Sequence, residues 1–225
     1  MQKTIAETII DARATRRPVA LLTWLATGAQ RLVAPGEDAG LGDAVREAFR
    51  RDKSGTVETP EGEVFIRVYN PPLRMLVVGA VHTAQFLVPL AAMLDYDVTI
   101  VDPRGAFATD ERFPGVKLVA EWPDEVFPQL GLDARTALIA LTHDPKIDDV
   151  ALNLALASEV FYIGALGSTR THAKRFDRLK AQGATDEALA RIHAPIGLDI
   201  GAQGPAEIAL SIMSQVTAVQ RGKSG

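Results

Sequence analysis

The chain has 225 residues, of which 47% are hydrophobic and 23% are charged, a composition typical of a soluble globular protein. Its formal net charge of -4 gives no basis for bulk nucleic-acid binding. It contains no cysteine, which excludes disulfides, thiolate metal sites and a sulfur relay through a thiol of this chain, and its four histidines make a dedicated zinc site unexpected.

Residues 1–70 predict a small α+β domain. The predicted elements are helices near 3–14 and 41–52, strands at 18–24 and 31–35, and a hairpin over 56–69 that turns at Pro60, Glu61 and Gly62. The first helix lacks the unbroken apolar core of a signal peptide, and no apolar run is long enough to span a bilayer. We therefore expect a cytoplasmic protein with no membrane partner. A domain this small hides its apolar strands poorly on its own, which favours a homodimer.

The stretch YNPPLR, residues 69–74, marks a domain boundary because two consecutive prolines stop regular structure. Over 71–225, apolar strands alternate with helical patterns. The predicted strands are 74–80, 97–102, 116–120, 136–141 and 160–166, and the predicted helices are 82–95, 123–130, 146–158, 168–181 and one that opens at 204–205. Continuous apolar strands are typical of a parallel sheet covered on both faces. The sequence therefore predicts an α/β fold, a Rossmann-like doubly wound parallel sheet with a small N-terminal α+β domain, and ligands at the carboxyl ends of its strands.

The first strand of the larger domain ends in the turn GAVHTA, residues 79–84. Gly79 and Ala84 fit the first and third positions of a dinucleotide-binding fingerprint, but Val81 stands where a second glycine would let the backbone approach a pyrophosphate. His82 begins the following helix and adds a candidate donor. Two interpretations stay open: the turn contributes to an anion site at the helix N-terminus, or Val81 simply packs and the turn binds nothing.

Charged residues follow the second strand. Asp102 lies near where a ribose-binding carboxylate sits in dinucleotide-binding folds. It suits equally well a strand-end residue bonded to nearby backbone. Arg104 and Arg112 flank the loop PRGAFATDERFPG, where either arginine can bind an anionic ligand or remain solvated.

The fourth strand ends in LTHDPK, residues 141–146. Asp144 followed by Pro145 is a strong helix start, with the aspartate as N-cap and the proline at the first helical position. This start leaves Thr142 and His143 at the ligand edge. His143 is a candidate for ligand contact or proton transfer.

The fifth strand ends in YIGALGSTR, residues 162–170. Gly164 and Gly167 let the backbone turn tightly, and Ser168 can cap the next helix, so this segment predicts an anion cradle. Arg170, in the first turn of the helix, is the basic residue best placed to reach a phosphate. The other basic residues of this helix are interpreted as a solvated face.

The segment HAPIGLDIGAQGPAEIALSI, residues 193–212, is a glycine-rich loop that opens a helix, with Glu207 able to reach back to the first free N–H. A long loop in a regular α/β domain is more often functional than not, although this one can merely carry the last helix back against the sheet. Its candidate ligand residues are His193, Gly197, Asp199, Gly201 and Gly204.

Together the motifs GAVHTA, VTIVDPR, FATDERFPG, LTHDPKIDD, YIGALGSTRTHAKR and IHAPIGLDIGAQGPAEIALSI resemble the C-terminal Rossmann domain of the XdhC/CoxI family, over roughly 73–220. Members of that family bind molybdenum cofactor, protect it, assist its sulfuration by a cysteine desulfurase and deliver it to xanthine dehydrogenase-like molybdenum hydroxylases. The resemblance implies a maturation factor rather than an enzyme. It implies a transiently bound molybdenum cofactor, as molybdopterin or its cytosine dinucleotide form. The partners that it implies are the cysteine desulfurase and a hydroxylase apo-subunit.

This chain departs from the family in two places. GAVH replaces the usual GAGH, and TWLATGAQRLVAPGED lacks the family's GSSPRRPG-like segment. We therefore expect the guest's phosphate late in the fold, at 164–168 and at the helix that Gly204 begins, and we expect Val81 to exclude NAD. The cofactor-binding residues that the resemblance implies are Gly79, His82, Asp102, Arg104, Thr142, His143, Gly164, Gly167, Ser168, Arg170, His193, Gly197, Asp199, Gly201 and Gly204.

Three other functions stay open. A nicotinamide- or flavin-dependent oxidoreductase would use Asp102 on ribose and His143 as proton donor, although Val81 and the lack of an obvious substrate domain count against NAD(P). A methyltransferase would also use an acidic residue at the second strand end. A pure protein-interaction module would have lost ligand binding through the changed first turn and the shortened N-terminal segment.

Overall fold

The structure is a computed structural model that describes residues 3–37 and 39–223. The chain divides into two compact units at Pro71 and Pro72. Both residues lack a backbone N–H, so neither can donate to a strand ladder, and regular structure stops on each side of them.

The N-terminal unit contains a four-stranded antiparallel sheet, with strand order β2-β1-β4-β3. Its described elements are α1 (Lys3–Ala14), β1 (Val19–Trp24), β2 (Gln30–Val33), α2 (Gly42–Arg51), β3 (Gly55–Thr59) and β4 (Gly62–Tyr69). The predicted hairpin is β3–β4, in which Thr59 pairs with Gly62 across the turn. Helix α2 buries Val45 and Ala48 in a core shared with the sheet residues Leu22 and Ile66.

The C-terminal unit is built on a six-stranded sheet with strand order β10-β9-β8-β5-β6-β7, parallel throughout. Its elements are β5 (Arg74–Val78), α3 (His82–Met93), β6 (Asp97–Val101), β7 (Lys117–Val119), α4 (Pro123–Leu130), β8 (Thr136–Ala140), α5 (Pro145–Leu156), β9 (Tyr162–Ala165), α6 (Thr169–Ala181), α7 (Asp186–Leu189), β10 (Ile192–His193) and α8 (Pro205–Gln220). Numbered within this unit, the strands lie in the order 3-2-1-4-5-6, which is the Rossmann arrangement. The structure confirms the predicted fold class.

Both faces of this sheet are covered. Residues of α3 and α8 pack on one face, and residues of α4, α5 and α6 pack on the other. Every residue of β5 and of β8 is buried, as the continuous apolar runs predicted. The order of the strands reverses between β5 and β8, and in open parallel sheets the crevice outside such a reversal is where ligands bind.

Two short elements were absent from the sequence interpretation. Helix α7 has four residues and strand β10 has two, and segments this short show no hydrophobic period. Strand β10 exists because it pairs with β9, His193 opposite Gly164. No helix in the described ranges 3–37 and 39–223 is both long and apolar enough to cross a membrane.

Candidate functional site

The turns that follow β5 and β8 touch each other at the point where the strand order reverses. Gly79 has φ +114°, and a Cβ atom there would lie 2.8 Å from Cγ2 of Thr142 and 3.2 Å from its backbone nitrogen. A side chain at Gly79 would therefore need both a strained backbone and a displaced neighbour. The glycine is required by the contact between the two turns.

The carboxylate that follows β6 is fully engaged within the protein. Asp102 is completely buried, and it accepts hydrogen bonds from the N–H of Ala80 at 2.8 Å and from the N–H of Arg104 at 3.0 Å. The guanidinium of Arg104 adds a bidentate pair, Nε at 2.9 Å and Nη2 at 2.8 Å. Burial by itself raises the pKa of Asp102, but the bonds from Arg104 and Ala80 outweigh it and hold that pKa below its usual value.

The first turn is also tied to the loop that follows β6. Arg112 donates through Nη1 to the carbonyl of Ala80 at 2.8 Å and to the carbonyl of Phe107 at 2.6 Å. His82 is exposed at the start of α3, where its Nδ1 lies 3.0 Å from Oε1 of Gln85. The N–H of Ala80 donates to Asp102 and its carbonyl accepts from Arg112, so the N–H and the carbonyl of Ala80 are both paired within the protein.

The turn after β8 is held by an aspartate on the next helix. Asp148 is 1% exposed, and its Oδ1 accepts from the hydroxyl of Thr142 at 2.7 Å. Its Oδ2 accepts the N–H of His143 at 3.0 Å. His143 has φ +63°, in the left-handed region where histidine, like asparagine and aspartate, is enriched among non-glycine residues, and its imidazole is exposed. The bond to Asp148 thus fixes this left-handed residue at the edge of the sheet.

A buried network continues from Asp148 to the turn after β9. Arg175 is 2% exposed and donates through Nη2 to Oδ2 of Asp148 at 3.3 Å and to the carbonyl of Leu166 at 3.2 Å. Its Nη1 lies 2.8 Å from Nδ1 of His172, and Nε2 of His172 lies 3.0 Å from the carbonyl of Gly167. Since the guanidinium and the carbonyl fix the roles of the two ring nitrogens, His172 is neutral with its proton on Nε2. One network therefore ties together the ends of β8 and β9.

Sequence interpretation missed this network. Asp148 and Asp149 were assigned no role, and the basic run of α6 was interpreted as a solvated face. The available signal was helical spacing, because His172, Arg175 and Leu179 recur at intervals of three and four and are the buried residues of α6. Arg178, expected to be solvated, donates to Oδ1 of Asp149 at 3.0 Å.

The predicted anion cradle separates into a packed glycine and an exposed turn. Gly164 lies inside β9, paired with Ile139 and His193, so the prediction that it turns the backbone is wrong. A Cβ at Gly164 would lie 2.7 Å from Cγ1 of Ile196 and 2.7 Å from Cε1 of Tyr162, so the space beside this glycine is filled. Ser168 caps α6, its Oγ accepting the N–H of Thr171 at 3.3 Å, as predicted. Ser168 and Arg170 are exposed at the carboxyl edge.

The loop after β10 is anchored by a tyrosine that the sequence interpretation did not select. Tyr162 stacks on the ring of His193, with centroids 4.7 Å apart and planes 8° apart. Burial lowers the pKa of His193 and raises the pKa of Tyr162. Gly197, at φ +93°, lies against α8, where an added Cβ would be 3.2 Å from the backbone nitrogen of Ile212. His193 and Gly197 therefore position this loop by packing.

The end of the loop is capped as the sequence predicted. Oε2 of Glu207 accepts the N–H of Gln203 at 2.8 Å and the N–H of Gly204 at 3.2 Å, and these bonds lower the pKa of Glu207. Asp199 and Gly201 are exposed, and the carboxylate of Asp199 accepts the N–H of Gly201 at 3.4 Å. Among the described residues, no group of three or more His, Asp or Glu side chains could hold a metal ion.

Residues 75–216, which contain the carboxyl ends of all six strands of the parallel sheet, match the XdhC Rossmann domain. The chain belongs to the XdhC family. It is 30% identical over 154 residues, 68% of this chain and 44% of the relative, to a probable xanthine dehydrogenase subunit of Bacillus subtilis. It is 31% identical over 152 residues, 68% of this chain and 42% of the relative, to the molybdenum cofactor insertion chaperone PaoD of Escherichia coli. This XdhC-family chain therefore spans less than half the length of these curated relatives.

A solved structure shares the fold. A protein described as a xanthine dehydrogenase from Bacillus halodurans matches with a TM-score of 0.68 and 21% identity, over 98% of this chain and 65% of that one. At this identity the likeness shows the shared fold alone.

Proposed function

We propose that this XdhC-family chain binds molybdenum cofactor transiently in the cytoplasm and assists its sulfuration and its insertion into a xanthine dehydrogenase-like molybdenum hydroxylase. The observation that carries the proposal is the likeness of its Rossmann unit to a protein named a molybdenum cofactor insertion chaperone. The cofactor, as molybdopterin or its cytosine dinucleotide form, is cargo here. The expected partners are a cysteine desulfurase, a second copy of this chain and the hydroxylase apo-subunit.

The exposed donors at the carboxyl edge suit a phosphorylated guest. His143, Ser168 and Arg170 lie exposed on the turns after β8 and β9. The N-terminus of α6 favours negative charge, and a guanidinium in its first turn can hold a phosphate bidentately. These donors support an arrangement in which the phosphate of the cofactor binds at the N-terminus of α6. The imidazole of His143 would then contact the remaining part of the cofactor.

Two other parts of the expected phosphate site are engaged by the protein itself. Ile196 and Tyr162 fill the space beside Gly164, and the carboxylate of Glu207 accepts the first N–H groups before α8. A phosphate bound at the N-terminus of α8 would be repelled by the negative charge of Glu207. We therefore narrow the proposed phosphate contact to Gly167, Ser168 and Arg170.

The test is retention of cofactor by protein purified from molybdate-fed cells. Oxidation converts bound pterin to a fluorescent product, and the wild-type chain should carry it. His143→Ala and Arg170→Ala should each carry less, because each removes an exposed donor without touching the core. Arg46→Ala is the matched control, since Arg46 is an exposed arginine on α2 of the N-terminal unit. Wild-type protein without pterin, and without effect on an apo-hydroxylase supplied with cofactor, would refute the proposal.

A further inference from the structure

The carboxylate after β6 has no hydrogen-bonding capacity left for a ligand. A carboxylate offers about four lone-pair directions. Asp102 accepts four bonds from protein donors, one from the N–H of Ala80 and three from Arg104. Because Asp102 is 0% exposed, solvent does not compete for these oxygens either.

The occupied acceptor sites of Asp102 matter because of where this carboxylate lies in the sheet. Strand β6 is the second strand of the Rossmann arrangement, and an acidic residue after that strand holds the ribose hydroxyls of bound NAD in dinucleotide-binding sheets. In this chain the guanidinium of Arg104 makes the bidentate contact that a ribose diol would make. A ribose could enter only by displacing two charge-assisted hydrogen bonds, which are the strong ones.

We propose that Arg104 is a specificity-determining residue that closes the adenosine-ribose subsite of this sheet. This inference goes beyond the proposed role in molybdenum cofactor delivery and does not rest on it. It predicts that this chain, despite its complete Rossmann strand order, does not bind nicotinamide dinucleotides. It assigns that exclusion to an internal ligand of Asp102, in addition to the predicted effect of Val81.

Several contacts hold Arg104 in this position. Its Cζ lies 4.9 Å from the ring centroid of Phe107, within the range of a cation–π contact. The hydrogen bond to Asp102 raises the pKa of Arg104, and the nearby charges of Asp144 and Asp148 add to the same direction. Arg112 donates to the carbonyls of Phe107 and Ala80, so the loop that presents Arg104 is fastened to the first turn.

The test is titration of the full chain with NADH and with NADPH, followed by calorimetry or nicotinamide fluorescence. Wild-type protein should bind neither more tightly than about 1 mM. Arg104→Ala should bind NADH about tenfold more tightly or better, because two acceptor directions on Asp102 become free. NADPH should gain much less, since its 2′-phosphate would meet the exposed carboxylate. Arg104→Gln, which keeps one amide donor, is the second variant if the alanine variant does not melt cooperatively.

Two controls separate the subsite from general effects. Arg46→Ala removes an exposed arginine of the N-terminal unit and should gain no NADH binding. The double variant Asp102→Asn/Arg104→Ala should lose most of the gain, because the amide cannot accept as a carboxylate does. Tight binding of NADH or NADPH by the wild-type chain would overturn the proposal. A cooperatively folded Arg104→Ala or Arg104→Gln protein with no gain in NADH affinity, both with Val81 in place and in a Val81→Gly background, would overturn it equally.

Discussion

The hydroxyl of Tyr162 donates a 2.6 Å hydrogen bond to Oε1 of Gln215, and the same oxygen accepts the N–H of Gly197 at 2.8 Å. Tyr162 and Gln215 are both buried and Gly197 is partly buried, so this oxygen satisfies a buried hydroxyl and a partly buried N–H. The side-chain oxygen of Gln215 therefore links β9, α8 and the glycine-rich loop after β10. The amide side chain of Gln215 is one of the contacts that position this loop at the carboxyl edge.

Replacing Gln215 tests this contact. Gln215→Leu leaves the buried tyrosine hydroxyl without a partner, which costs about 1–3 kcal/mol of unfolding free energy, and it removes the bond from the partly buried Gly197 N–H. Tyr162→Phe removes one donor and leaves no unpaired group on the protein, so its cost should be smaller, about 1 kcal/mol. Urea unfolding measures both. Equal losses from the two variants would show that the shared oxygen is not the anchor.

Two glycines of the same loop make a matched pair. Gly197 has φ +93° and lies against Ser211 and Ile212, whereas Gly201 has φ +73° with no atom within 4 Å of an added Cβ. Gly201→Ala should cost only backbone strain, about 1–2 kcal/mol. Gly197→Ala adds steric overlap with α8, so it should cost clearly more and displace the loop. Thermal unfolding of both proteins decides; similar losses would contradict the packing role of Gly197.

Much of the architecture could be predicted from the sequence because each of its signals is local. Continuous apolar runs identified five of the six strands of the parallel sheet, and caps such as Ser168 and Glu207 are chemical features of a few neighbouring residues. The doubly wound parallel sheet follows from the alternation of strands and helices with right-handed crossovers. These features need no knowledge of contacts between distant residues.

The site was less predictable because its chemistry depends on pairing between distant residues. Asp102 was correctly placed at the end of its strand, but the sequence left open whether it serves a ligand or the nearby backbone. The answer depends on the direction in which the side chain of Arg104 points. The hydrophobic periodicity of the sequence does not predict that direction. Buried charge was missed for the same reason, since Arg175 on α6 acquires its partners on α5 only when the helices pack.

Removing the charge of Asp148 tests that buried pair. Asp148→Asn leaves the guanidinium of Arg175 buried, with Nε 4.0 Å from Oδ1 of Asp149 as its closest remaining carboxylate contact. Breaking one partner of a buried pair typically costs about 3–5 kcal/mol. Urea unfolding should show a loss of this size. Asp43→Asn is the control, because Asp43 pairs with Arg46 at an exposed position, and it should leave the unfolding midpoint unchanged. A loss as small as that of the control would mean that the pair does not stabilise the unit.

The neutral histidine in the network predicts that stability falls on mild acidification. Burial and the charge of Arg175 lower the pKa of His172, and burial lowers the pKa of His193. The unfolded histidines titrate near about 6.5, so below that pH the unfolded state binds more protons than the folded state. The stabilising contribution is therefore complete above about pH 6.5 and is lost as the pH falls through that value.

Other charged groups near His172 add their own contributions, so the histidine effect is measured as the difference between wild-type protein and histidine variants. Arg175 stays charged throughout, and Asp148, whose pKa burial raises, gains protons in the folded state on acidification and so opposes the histidines. Unfolding free energies at pH values from about 7.5 to about 5.5 should fall in wild-type protein and fall less in His172→Gln. His193→Gln should also reduce the slope of unfolding free energy against pH. The double variant should reduce that slope by the sum of the two single effects. If the double variant keeps the wild-type slope, neither histidine is held neutral by the fold, because a group that titrates alike in both states contributes no pH dependence.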